Sequence, residues 1–220
     1  MVRRLPVVLE QRVARGAAPE RRGGTGVTLD GFLKLALQSV TNPREVAALL
    51  LSIRPNREAL LTGFALVVVL NALLFGLSIL LDPTGAPGLI GGPVSFLVMQ
   101  GLALAATILA LTWMGRLFGG RARVEEIALL MIWMQGLRVL VQAATLLVVP
   151  VSLALAGLVT MGATALGVWI AVNFLDEAHE LRSLLRALAV LVLGMLAMAF
   201  AVSLILTLAG VTPEGMLDNV

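Results

Sequence analysis

Cysteine and tyrosine are missing altogether from this 220-residue chain, and histidine occurs once. Without cysteine there is no disulfide scaffold, no thiol nucleophile and no Cys/His zinc site. Charge is scarce as well: 13% of the residues are Asp, Glu, Lys or Arg, against about 25% in a typical soluble domain. What fills the space is apolar, with 59% hydrophobic residues and a mean hydropathy of +1.00. A soluble fold of this length has no interior large enough to bury that much Leu, Val and Ala. The pI near 10.9 invites a nucleic-acid reading, which depends on where the basic residues lie.

Crossing about 30 Å of hydrocarbon takes about 20 apolar residues at 1.5 Å each. Five such runs are present: about Leu60 to Leu81, Pro93 to Met114, Ile127 to Val149, Val151 to Leu175 and Leu188 to Ala209. The expected fold is therefore all-α, a polytopic integral membrane protein with five transmembrane helices preceded by amphipathic interfacial helices. Barrel-like alternation is absent, and lipid-exposed backbone has to satisfy its own hydrogen bonds. One boundary has a rival register. Val139 to Leu175 is a continuous apolar stretch of 37 residues, and crossing at Val139 to Leu155 and Gly157 to Leu175 would place Pro150 inside a helix, where it removes a hydrogen bond.

The connections sort by charge. Arg3, Arg4, Arg12, Arg15, Arg21, Arg22, Lys34, Arg44, Arg54 and Arg57 precede the first span; Arg116, Arg121 and Arg123 follow the second; Arg182 and Arg186 follow the fourth. The links on the other side carry none. Fifteen of the sixteen basic residues thus fall on one side, which is the positive-inside pattern and predicts a cytoplasmic N-terminus and an external C-terminus. The early patch Leu5 to Leu9 is too short for a signal peptide and is followed by Glu10, so the spans are expected to target the protein.

Four sections are expected. Residues 1–26 read as a flexible basic arm, too short and aromatic-poor for nucleic-acid recognition, and Val27 is an alternative start in an arginine-dominated, GC-rich coding style. Residues 27–59 read as an amphipathic interfacial segment, 60–210 as the membrane domain and 211–220 as an external tail. In the interfacial segment Phe32, Leu33, Ala36, Leu37 and Val40 share one helical stripe. A second helix is signalled by Asn42 as cap, Pro43 in the first turn and Glu45, with Val46, Leu49, Leu50 and Ile53 as its apolar face and Arg54-Pro55 as its stop. Phe32, Lys34, Arg44, Arg54 and Arg57 are the expected lipid contacts, at an anionic cytoplasmic headgroup layer. The plainer alternative is that this segment caps the bundle or leads into the first span.

Arg138 is the one ionisable side chain within the spans, eleven residues from either end of the third. A central arginine costs about 2.5–3.5 kcal/mol on insertion scales, so it normally faces protein, water or a polar partner. Gln135 and Gln142 share its helical face, and Gln100 and Asn71 complete a possible intramembrane polar site; snorkelling to the interface is the bland alternative. No span carries Asp or Glu, so a carboxylate proton relay is missing. Asn173 and the other amides read first as interhelical ties. Gly157, Thr160, Thr164, Gly167 and Ala171 form a small-residue seam expected to serve helix packing within the chain, with homo-oligomerisation as a minority option, and Gly194, Ala197 and Ala201 form another. Trp113 and Trp169 suit interfacial belts and Trp133 the bundle. His179, beside Asp176, Glu177 and Glu180, is expected to be a solvated interfacial residue on a short amphipathic helix. No catalytic residue, cofactor site or metal site is expected.

The order of these features resembles the YIP domain family (Ypt/Rab-interacting-protein-like), in its bacterial branch. The resemblance runs from about Leu29 to Gly210 and rests on Asn42-Pro43-Arg44, the Phe118-Gly119-Gly120 turn and the exit from Leu175 to His179. It implies a five-span integral membrane protein without catalytic residues. Eukaryotic members bind small GTPases in vesicle traffic; this chain lacks their long cytoplasmic region and their tyrosine motifs, so that partner is not carried over. The expected role is non-enzymatic, in membrane organisation or as an adaptor for other membrane proteins in a bacterial inner membrane. The alternative is a small solute or anion transporter or channel subunit built around Arg138.

Overall fold

The computed structural model describes residues 29–81 and 93–208; the expected basic arm, the link after Leu81 and the external tail lie outside them. Seven helices are present among the described residues: α1 Leu29–Thr41, α2 Pro43–Ile53, α3 Arg57–Leu81, α4 Pro93–Leu117, α5 Val124–Val148, α6 Leu153–His179 and α7 Leu184–Leu208. By its internal contacts the chain divides at Leu35 into two units. In the first, the opening turns of α1 carry an exposed Asp30–Lys34 ion pair of 2.8 Å at i,i+4 spacing.

The second unit is the bundle. Five of its helices, α3 to α7, are long and apolar enough to cross a membrane. Each has 25 to 27 residues, or about 37–40 Å at 1.5 Å per residue, so each overruns the hydrocarbon thickness. Consecutive partners close a ring, α3 on α4, α4 on α7, α7 on α6, α6 on α5 and α5 on α3, with α4 also touching α5 across the middle. Leu104, Ile108, Leu111, Ile127, Leu130, Phe174 and Val190 are buried between them, while most other large apolar side chains point outward, as a lipid-facing surface requires.

The helices run past the apolar windows at the arginine-rich end because that end is capped. Asn56 Oδ1 accepts from Ala59 N–H at 2.8 Å and starts α3. Glu126 accepts from Arg123 N–H at 2.9 Å and from its guanidinium, holding the start of α5. At the opposite end, Ser152 Oγ accepts from Leu155 N–H at 3.3 Å and starts α6. Each carboxylate or oxygen satisfies an N–H that the helix itself leaves open. Pro150 lies in the turn between α5 and α6, outside both helices, where its missing N–H costs nothing.

Two close approaches explain individual glycines. A Cβ on Gly194 would stand 2.7 Å from Leu111 Cδ2, so α7 sits directly on α4 there, and one on Gly63 would stand 3.3 Å from Ile132 Cγ2 between α3 and α5. The expected seam on α6 is used at one end only. Ala171 is buried, whereas Gly157, Thr160 and Thr164 are exposed and no heavy atom comes within 4 Å of the Cβ positions of Gly157 or Gly167. Thr160 and Thr164 return their hydroxyls to carbonyls of their own helix.

Candidate functional site

The three short segments that carried the family resemblance converge at the arginine-rich end of the bundle. Pro43 in the first turn starts α2, although the side chain of Asn42 makes no capping hydrogen bond. Pro43, Val46, Ala47 and Leu50 bury against α5 and α6, and Leu49 and Ile53 stay outside. The apolar face is therefore rotated from the one expected, because α2 packs on the bundle along the i, i+3, i+4, i+7 row that begins at Pro43.

That docking carries Arg44 to Asp176 near the end of α6, where the guanidinium donates to Oδ2. The carboxylate is 5% exposed and the arginine 51% exposed. Its other oxygen, Oδ1, accepts from Ser183 N–H at 2.9 Å, and the Asp176 carbonyl accepts from Leu181 N–H at 3.2 Å. One residue thus joins α2, α6 and the turn into α7. Burying a carboxylate is costly without such partners. Arg44 is engaged here and not simply offered to headgroups.

His179 corrects an expectation. The last residue of α6, it is 1% exposed and not solvated, because α6 continues through Leu175–His179 and turns the imidazole inward. The ring fills space left by two glycines. A Cβ on Gly115 would lie 2.0 Å from Cε1 and one on Gly120 2.5 Å from Nδ1. Gly119 has φ +86°, the left-handed conformation that glycine adopts without steric cost, and the loop closes with Gly120 N–H donating to the Gly115 carbonyl at 2.8 Å. Arg121 N–H donates to the His179 carbonyl at 3.4 Å. The Leu111 backbone is the ring's hydrogen-bond partner, at a geometry looser than that of an ideal hydrogen bond. The loop between α4 and α5 is thereby latched onto the end of α6.

Beyond His179, the turn through residues 180–183 reverses the chain into α7. Glu180 and Arg182 have φ of 54° and 53°, so two non-glycine residues sit in the left-handed region. Leu181 between them is buried, which orients its neighbours outward. A cleft of about 500 Å³ opens here, lined by His179, Glu180, Arg182, Ser183, Arg186 and, from the opposite loop, Arg121.

The remaining expected residues scatter. Arg138 is exposed on α5, and Gln135 and Gln142 are half-buried with Oε1 atoms that find no partner among the described residues. Asn71 is buried and donates to the Val67 carbonyl at 2.7 Å, its Oδ1 unpartnered. Gln100 is half-buried on α4, and Asn173 donates to the Trp169 carbonyl at 2.8 Å. Arg54 ends α2 in the left-handed conformation at φ 45°, and Arg57 opens α3. Trp113 and Trp169 are exposed; Trp133 Nε1 donates at 3.0 Å to the buried hydroxyl of Ser39 in the last turns of α1. No group of three potential metal ligands occurs among the described residues.

Nothing in the linear pattern marked Asp176 or His179 as buried. The one usable signal was the glycine pair flanking an inter-helix loop, which announces close approach without naming what approaches.

A family model for the Yip1 domain matches residues 37–205, which covers the last five residues of α1, all of α2 to α6 and nearly all of α7. No curated protein and no solved structure gives a match.

Proposed function

We propose, from the premise that the chain belongs to the Yip1 domain family, that this five-helix membrane protein works without chemistry, as an organiser of membrane or an adaptor for other membrane proteins. The observation that carries the reading is the convergence of Arg44, Asp176, His179 and the Gly115–Gly120 loop into one rigid corner. These groups are spent on holding elements together: the carboxylate on a guanidinium and an N–H, the imidazole on glycine faces. The corner fixes α2 so that Leu49 and Ile53 point away from the bundle, at 50% and 61% exposure. An apolar ridge on a helix too short to span a membrane suits an interfacial lipid layer or a partner helix.

The orientation belongs to the same proposal. Arg44, Arg54, Arg57, Arg116, Arg121, Arg123, Arg182 and Arg186 all belong to one end of the bundle, which we assign to the cytoplasmic face of a bacterial inner membrane on the positive-inside rule. A photo-crosslinking residue at Leu49 or Ile53 in native membranes tests the adaptor reading. Discrete protein adducts are expected; adducts with lipid alone would remove the adaptor role and leave the interfacial one.

A transport reading is favoured by a single observation, the unpartnered amide oxygens of Gln135 and Gln142 beside Arg138. The outward exposure of Arg138 weighs against it. Proteoliposomes decide between the two: the adaptor reading expects no anion flux above empty vesicles, and the transport reading expects flux that Arg138→Leu abolishes.

A further inference from the structure

We infer that the cleft between the α4–α5 loop and the α6–α7 turn is a binding site for a phosphate group, and that the phosphate is the headgroup of an anionic phospholipid. The inference needs only that the protein lies in a membrane; it holds whether or not the adaptor reading does.

Charge comes first. Arg121, Arg182 and Arg186 line the cleft with Glu180 as the opposing carboxylate, which leaves an excess of positive charge. None of the three arginines forms an ion pair among the described residues, in contrast to Arg44 and Arg123, which are both engaged. Three exposed guanidiniums, from the α4–α5 loop, the α6–α7 turn and the first turn of α7, repel one another, and a multivalent anion relieves that repulsion. The planar guanidinium fork matches phosphate oxygens two at a time. The start of α7 adds the positive end of a helix dipole at Leu184.

The inner wall of the cleft is fixed. The His179 imidazole there is 1% exposed, packs against Gly115 and Gly120 and has the Leu111 backbone as its partner, so the two connections that carry the arginines are held together before any anion arrives.

The source of the phosphate follows from what adjoins the cleft. Ser183 lines the basic cleft and Leu184, the next residue, lines an apolar groove of about 420 Å³ between α6 and α7, completed by Leu185, Leu188, Trp169 and Val172. A basic pocket at the end of two spanning helices that continues into an apolar groove between them suits one molecule with a charged head and an acyl chain. A free phosphate would leave the groove unused.

The full-length protein in neutral detergent, titrated with dioctanoyl phosphatidic acid, dioctanoyl phosphatidylcholine, inorganic phosphate and glycerol 3-phosphate, tests the site. Phosphatidic acid is expected to bind at least tenfold more tightly than the choline lipid, and R182Q/R186Q is expected to weaken it by roughly tenfold or more, the scale of one lost charge-assisted hydrogen bond. Both arginines are exposed and unpaired, so the thermal midpoint should not move; R121Q is a second variant with the same expectation. R123Q, whose arginine is engaged with Glu126, should bind as the parent does. Equal binding of the two lipids, or unchanged binding by both R182Q/R186Q and R121Q, overturns the site. Inorganic phosphate or glycerol 3-phosphate competing as strongly as the lipid overturns the lipid assignment and points to a soluble phosphate ester.

Discussion

Replacing Gly115 with alanine puts a methyl group where the His179 ring already is. The three atoms nearest the new Cβ are Cε1, Nε2 and Nδ1 of His179, at 2.0, 2.1 and 2.5 Å. No rotamer relieves such overlaps while the ring stays in place, because it is fully enclosed, so either the imidazole leaves its pocket or α4 and α6 separate. Overpacking of this kind costs about 1–3 kcal/mol and sometimes more. For a chain of this size that corresponds to a fall of roughly 2–12 °C in thermal midpoint. The double-mutant cycle makes the reasoning specific. All three obstructing atoms belong to one side chain, so Gly115→Ala should be far less harmful in a His179→Ala background than in the parent. Gly120→Ala should not be rescued in the same way, because its Cβ also meets the Gly115 backbone carbonyl at 2.7 Å, and that atom stays. Fluorescence-detected size-exclusion after a temperature series, in one detergent, reads all five variants and the parent. If Gly115→Ala is as stable as the parent, or is no better tolerated without His179, the latch between the α4–α5 loop and α6 is refuted.

Three further expectations concern the same end of the bundle. Arg44→Gln leaves the 5%-exposed carboxylate of Asp176 with its backbone donor alone; breaking a buried pair costs about 3–5 kcal/mol, and the half-exposed arginine reduces the expected loss below that. Arg44→Gln should therefore be rescued in part by Asp176→Asn, which a thermal series on both single variants and the pair would show. Trp133→Phe removes the donor to the buried Ser39 hydroxyl and should cost about 1 kcal/mol, with proteolysis between α1 and α2 increasing if that bond holds the last turns of α1. Gly194→Ala drives a methyl toward Leu111 at 2.7 Å and should cost about 1–3 kcal/mol, whereas Gly157→Ala, which meets nothing within 4 Å, should be neutral by the same measurement.

The helical spans were legible because lipid leaves the backbone so few choices: a run of about 20 apolar residues has to be a helix, and the arginines and prolines between runs mark the breaks. The exact ends were not legible, because Asn56 and Glu126 extend order past the apolar windows through caps that hydropathy ignores. Less of the site could be read. Arg44 and Asp176 are 132 residues apart, and nothing in either segment announces the other. His179 looked solvated because its neighbours in sequence are Asp, Glu and Arg; its neighbours in space are glycines from another loop. Asn42 had the composition of a cap, yet Pro43 begins α2 without needing its side chain. The resemblance to the Yip1 domain carried further than periodicity could, since its three most distinctive segments are the ones that meet.

Membrane orientation is the claim on which the functional account turns, and a chain without cysteine is suited to measuring it. A single cysteine at Arg121, Arg182 or Gly85, probed in intact cells with a membrane-impermeant maleimide, reads each side directly. The account predicts labelling at Gly85 in intact cells and labelling at Arg121 and Arg182 only after the membrane is opened. Labelling at Arg121 or Arg182 in intact cells would contradict it and place the arginine corner, with its phosphate cleft, outside.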